Sequence, residues 1–230
     1  MEQPSPRRDR QVLFEPEDDD DQPGRDVIIM FAVFFEGGLA PLSLLLGWWW
    51  GHNPLQQFSW NAGDALKGVI AALPMIGLFL VVLRWPIGPL RKIKSFCEDE
   101  FVPLLAGSSW SDTALIAISA GVGEEMLFRG AIQTSLGAWL GDLWGLSLAG
   151  LLFGMLHPIS IPYIVVTFGV GLFLGGEYLY TGNLLAVIVT HALYDFALMG
   201  YLLRFHYHGG PSMSIPTVDP DADIDDRDRL

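Results

Sequence analysis

The sequence predicts an all-α integral membrane protein, with about six transmembrane helices and one further helix lying at the membrane interface. Three observations carry this. Apolar stretches recur along the chain, each close to the roughly 20 residues a helix needs to cross a bilayer core. Of the 230 residues, 51% are hydrophobic and 17% are charged, whereas a soluble domain carries about a quarter charged residues. The net charge of −13 gathers mainly at the two ends. Glu15, Glu17 and the run Asp18 to Asp21 lie in one end, and Asp219, Asp221, Asp223, Asp225, Asp226 and Asp228 in the other. Like-charge blocks of this kind are ordinarily solvated and without fixed structure.

The first span is read over Val27 to Trp50 and closes on Trp48-Trp49-Trp50, an aromatic belt of the kind that sits at headgroup level. The second is Ala65 to Leu83. From Trp85 to Trp110 the chain mixes Arg91, Lys92, Lys94, Glu98, Asp99 and Glu100 with Phe101, Val102 and Leu105, which suits a helix lying in the interface rather than crossing. The third span is expected from Asp112 to Leu136, with Ser111 or Asp112 as its N-cap. The fourth runs from Trp139 to Leu156 and is closed by His157-Pro158. The fifth runs from Tyr163 to Tyr180, and the sixth from Leu184 to Leu203. This divides the chain into a disordered acidic tail (1–26), two spans with their connector (27–110), a core of transmembrane helices (111–203) and a second disordered acidic tail (204–230).

Arg7, Arg8, Arg10 and Arg25 precede the first span, and Arg84, Arg91, Lys92 and Lys94 follow the second. The connection from Gly51 to Asp64 has no lysine or arginine. By the positive-inside rule the N-terminus is cytoplasmic, and six spans return the C-terminus, with Arg204, to the same side. The expected location is the cell membrane, multi-pass. Cys97 is the only cysteine, so no internal disulfide and no cysteine metal cluster can form. No extended basic region points to nucleic acid.

Ionisable groups inside a bilayer cost at least about 2.5–3.5 kcal/mol each and are functional candidates by default. The third span contains Glu124, Glu125 and Arg129, the fourth ends at His157, and the sixth contains His191 and Asp195. Glu125 and Arg129 are four apart with the acid N-terminal, the favourable order for an ion pair. Glu124 points about 100° away around the helix, free to face a different cavity. Gly121, Gly123 and Gly130 keep this helix slim for close neighbours. His191 and Asp195 repeat the four-residue spacing, so the carboxylate can fix the imidazole's tautomer. His157 sits at the break before Pro158, where a ring can turn into a cavity. Glu36, beside Gly37 and Gly38, could cap a bend, and Glu177 is expected to sit wet near a membrane end.

These residues resemble the motifs of one family. Glu124-Glu125 followed by Arg129, Phe153 followed by His157, and His191 followed by Asp195 are similar to the three ordered motifs of the CAAX prenyl protease and bacteriocin-processing intramembrane proteins. The stretch Gly171 to Asn183 resembles the segment that precedes the last motif. The resemblance covers about Ile116 to Leu198. It implies an all-helical membrane fold with a cavity open to one side, and peptide hydrolysis by water without a covalent intermediate. It also implies Glu124 as general base, His157 positioning the attacking water, His191 and Asp195 at the oxyanion, and Glu125 with Arg129 holding their helix. Many members have Asn where this chain has Asp195. An ionised aspartate would repel an oxyanion, so Asp195 is expected to orient His191, which then donates. The implied substrate is a membrane-associated peptide or protein, with no cofactor.

Three alternatives stay open on the sequence. Glu124, His157 and His191 could ligate zinc with a water, although the familiar His-Glu-x-x-His helix is missing. The chain could be a non-proteolytic immunity or scaffold protein of the same family. Carboxylates and histidines in a membrane also build proton relays, but no symmetric broken helices support a transporter.

Overall fold

The computed structural model describes residues 24–206. The acidic tails expected over 1–26 and 204–230 therefore lie almost wholly outside the described residues. Those described are helical, with no strand among them. Helix α1 is Arg25–Trp50 and ends at Gly51, whose φ of +80° lets its N–H turn back to the Gly47 and Trp48 carbonyls. A 3-10 turn, Pro54–Gln57, leads to α2, Ala62–Arg84, which Asn61 caps through Gly63 N and Asp64 N. The connector is a chain of short pieces from Gly88 to Leu105 that includes α3 (Arg91–Phe96) and α4 (Val102–Leu105).

Helix α5, Trp110–Glu125, begins at Ser109. The expected cap, Ser111 or Asp112, is thus corrected: Ser109 Oγ accepts from Asp112 N, and Asp112 Oδ2 accepts from Ser109 N. That reciprocal pair is a capping box, and Asp112 takes part as its acid. The helix does not stay α-helical to Leu136. Met126–Gln133 forms a π-helix before α6, Thr134–Leu140. π-helical stretches inside α-helices concentrate at functional sites, and this one starts immediately after the Glu124-Glu125 pair. Gly141, with a φ of +90°, then breaks the chain. Trp139 consequently belongs to α6, and α7 is Asp142–Met155. Helices α8 (Ile161–Thr181) and α9 (Leu184–Tyr201) follow, with a last π-helical turn at Leu202–His206.

Among the described residues, four helical segments are long and apolar enough to cross a membrane: Arg25–Trp50, Ala62–Arg84, Ile161–Thr181 and Leu184–Phe205. A fifth is reached if Gly88–Leu105 and Trp110–Leu140, bent by 116°, count as one broken span. A count of six does not follow from length. The 14 residues of α7 extend about 21 Å at 1.5 Å per residue, short of the ~30 Å core. The outer faces fit lipid rather than water: Phe31, Phe34 and Phe35 on α1 are 70%, 74% and 58% exposed, an apolar surface larger than soluble proteins tolerate.

The bundle closes through small residues. Helices α2 and α5 pack on α9, α1 packs on α5, and α7 on α8. A Cβ at Gly121 would sit 3.0 Å from Ala192 Cβ on α9, one at Gly123 would overlap the Glu36 carbonyl on α1, and one at Gly130 would lie 2.8 Å from Pro54 Cβ. The three glycines of this helix thus each admit a different neighbour, and together they bring α1, α9 and the Pro54 turn around one segment.

Candidate functional site

Glu124 and Glu125 are the last two residues of α5, and both are buried. Arg129, in the π-helix, is 1% exposed. Its Nη1 donates to Glu125 Oε1 at 3.0 Å and its Nη2 to the Gly171 carbonyl on α8 at 3.0 Å. The guanidinium also lies over the Phe153 ring, 4.7 Å from its centroid, a favourable cation–π contact. One turn on, Gln133 Nε2 donates to the Gly175 carbonyl at 3.0 Å. Two side chains four apart therefore grip two carbonyls four apart, and α8 is locked against the π-helix.

Helix α9 brings His191 and Asp195 to the same place. His191 Nδ1 is 2.7 Å from Glu125 Oε1, and its Nε2 is 3.4 Å from Asp195 Oδ2. Asp195, expected to orient His191, lies within reach of its Nε2, and a shorter contact to the ring comes from Glu125. With Nδ1 held by Glu125, Nε2 is the nitrogen directed toward Asp195.

His157 lies just past the end of α7. Its Nδ1 is 2.7 Å from the Phe153 carbonyl. A carbonyl only accepts, so Nδ1 carries the proton and donates. This fixes the ring with Nε2 toward Glu124 Oε1, 4.0 Å away. Such a distance is too long for a direct hydrogen bond and short enough for one water to touch both atoms. His157 and Asp195 are partly exposed, while Glu124, Glu125, Arg129 and His191 are buried, so the cluster has a wetter side and a sealed side.

Two acids outside the expected set come into view. Glu36 does not cap a bend, since α1 runs unbroken through it. Its backbone carbonyl lies against Gly123 on α5 and its Oε2 is buried, and the charged groups that act on it are those of Glu124, His191 and Asp195. Glu177 is not simply wet either: it is half-buried, and Thr190 Oγ1 donates to its carboxylate, 2.9 and 2.8 Å from the two oxygens. The signal for Glu36 was in the sequence, as an acid inside an otherwise apolar span, but helical spacing cannot relate α1 to α5. Among the described residues, no group of three or more His, Cys, Asp or Glu side chains is arranged to hold a metal ion.

The fold and this cluster define a multi-pass, all-helical membrane protein with carboxylates and histidines converging from α1, α5, α7 and α9. Residues 106–197 match the family described as type II CAAX prenyl endopeptidase, Rce1-like, and that segment holds Glu124, Glu125, Arg129, His157, His191 and Asp195. The resemblance read from the three motifs is borne out there. A similar curated protein is the uncharacterized protein YpbD of Bacillus subtilis (strain 168), 35% identical over 99 residues, which is 41% of this chain and 45% of that protein. The chain thus aligns with less than half the length of that relative. No solved structure matches.

Proposed function

We propose that the protein is an intramembrane endopeptidase of the CAAX-protease and bacteriocin-processing type. The observation that carries this reading is the Glu124 Oε1 to His157 Nε2 separation of 4.0 Å, inside a family-matched segment whose remaining polar groups are tied to one another. Glu124 acts as general base on a water held between the two side chains. The water oxygen attacks the peptide carbonyl carbon as its proton passes to Glu124. The oxyanion that forms faces His191, which on this reading carries a proton on each ring nitrogen, so that Nδ1 donates to Glu125 and Nε2 donates to the oxyanion as the preorganised group. Glu124 then returns the proton to the amide nitrogen as the C–N bond breaks. Glu125 and Arg129 position His191 and the π-helix and do not touch the substrate.

On this reading the substrate is a membrane-associated peptide or protein, no cofactor takes part, and the protein sits in the cell membrane. The six-span topology needs α7 to complete a crossing with its flanking residues, and it leaves both termini cytoplasmic. The test compares new protein termini in membranes of the host of origin expressing the wild type or Glu124→Gln. Termini that appear only with the wild type support the peptidase reading and name the substrate. Identical profiles, with a phenotype still lost on gene deletion, would instead make the cluster a binding site.

A further inference from the structure

Helices α1 and α5 meet at the Glu36 carbonyl and Gly123, where no Cβ would fit. That backbone contact places the Glu36 and Glu124 side chains close enough to interact. In both, Oε2 is buried and accepts no hydrogen bond from any N–H or hydroxyl group among the described residues. A carboxylate can only accept, so a hydrogen bond between two carboxyl groups needs one proton between them. Two carboxylates set side by side in a poorly hydrated site do not both ionise.

We propose that Glu36 belongs to the site as a positioning residue: its carboxylic acid donates to the Glu124 carboxylate, so that the pair holds one proton and Glu124 is the member left ionised. This rests on the peptidase reading only for its consequence, which is to present Glu124 as an aimed base. The pairing itself is a property of the folded protein. It gives Glu124 a donor on the α1 side, while Oε1 remains directed to His157. The charged and titratable groups facing the pair are Glu125 and Arg129 from the α5 segment, His157 after α7, Tyr163 from α8, and His191 and Asp195 from α9. None of these is a donor to Glu36 or Glu124 at hydrogen-bonding distance, and that leaves the two acids to each other.

Infrared spectroscopy of the full chain in lipid nanodiscs at pH 7 tests this, comparing wild type, Glu36→Gln and Glu124→Gln. The expected result is a protonated-carboxyl C=O stretch in the wild type that Glu36→Gln removes. In Glu124→Gln the same band moves to higher frequency, because an amide oxygen accepts more weakly than a carboxylate. A band of unchanged intensity in Glu36→Gln, or of unchanged frequency in Glu124→Gln, overturns the proposal. Circular dichroism of each variant verifies that the helices are retained. The spectra are read whether or not a peptide is cleaved, so failure of the pair and failure of the peptidase reading are separate results.

Discussion

His191 Nδ1 lies 2.7 Å from Glu125 Oε1, the same oxygen that receives Arg129 Nη1 at 3.0 Å. One carboxylate oxygen thus fastens α9 to the π-helix, and Arg129 carries the link on to α8 through the Gly171 carbonyl. Glu125 is fully buried. Removing one partner of a buried ion pair costs about 3–5 kcal/mol, because the other charge is left uncompensated. Glu125→Ala is therefore expected to lower the thermal unfolding midpoint in detergent sharply. Glu124→Gln, which touches no part of this link, should change it little. Equal midpoints for Glu125→Ala and wild type would remove Glu125 from its structural role.

Glu124 and His157 are expected to act as one unit. On the proposed mechanism, Glu124→Gln and His157→Ala each lower kcat by roughly 10²–10⁴, the range of a lost acid–base group. Groups that serve a single step are strongly non-additive, so the double variant should be no slower than the slower single one. The check is single-turnover cleavage of the substrate identified from the termini comparison. Multiplicative losses would mean that the two residues serve separate steps.

The sequence made the site's pairs legible within helices and left the pairs between helices hidden. Glu125–Arg129 and His191–Asp195 follow from four-residue spacing, and both are found at 3.0 and 3.4 Å. Glu125–His191 spans 66 positions and Glu36–Glu124 spans 88, separations that no helical period addresses. The helix ends were similarly readable except where backbone chemistry intervened. The π-helical turns of Met126–Gln133 have no composition that announces them. Gly141 did carry a signal, as a glycine beside Asp142, yet the apolar residues on both sides let the fourth span be read through it. Ser109 was missed as a cap although it stands three residues before an acid, the spacing of a capping box.

Gly123 and Gly38 predict opposite responses to the same change. A Cβ at Gly123 would overlap the Glu36 carbonyl, whereas one at Gly38 has nothing within 4 Å. Gly123→Ala must push α1 away from α5, and overpacking of this kind costs about 1–3 kcal/mol. Gly38→Ala meets open space and replaces the poorer helix former, a change worth up to about 1 kcal/mol in the other direction. Thermal midpoints of the two variants in one detergent should fall on opposite sides of the wild type, or Gly38→Ala should at least not fall below it. If Gly123→Ala is neutral, the α1–α5 contact is looser than the geometry states.

Asn183 is expected to be the residue outside the site whose loss is felt most widely. It is 3% exposed, and its Oδ1 accepts from Leu185 N, capping α9, and from Ser59 N in the first connection. Its Nδ2 donates to the Ser59 carbonyl, to Ser59 Oγ and to Asp64 Oδ2. One amide therefore joins the start of α9 to the start of α2, the two helices that pack along each other. Asn183→Ala removes a cap, worth about 0.5–2 kcal/mol, and strips donors and acceptors from buried partners at about 1–3 kcal/mol where no water replaces them. Asn183→Asp keeps the cap but sets a carboxylate against Asp64, so it should be destabilised as well. The expected order of thermal midpoints is wild type highest and both variants lower. Hydrogen exchange should rise at the N-terminal turns of α2 and α9 before it rises around Glu124. If exchange rises first at the site, the amide supports the cluster directly rather than the two helix starts.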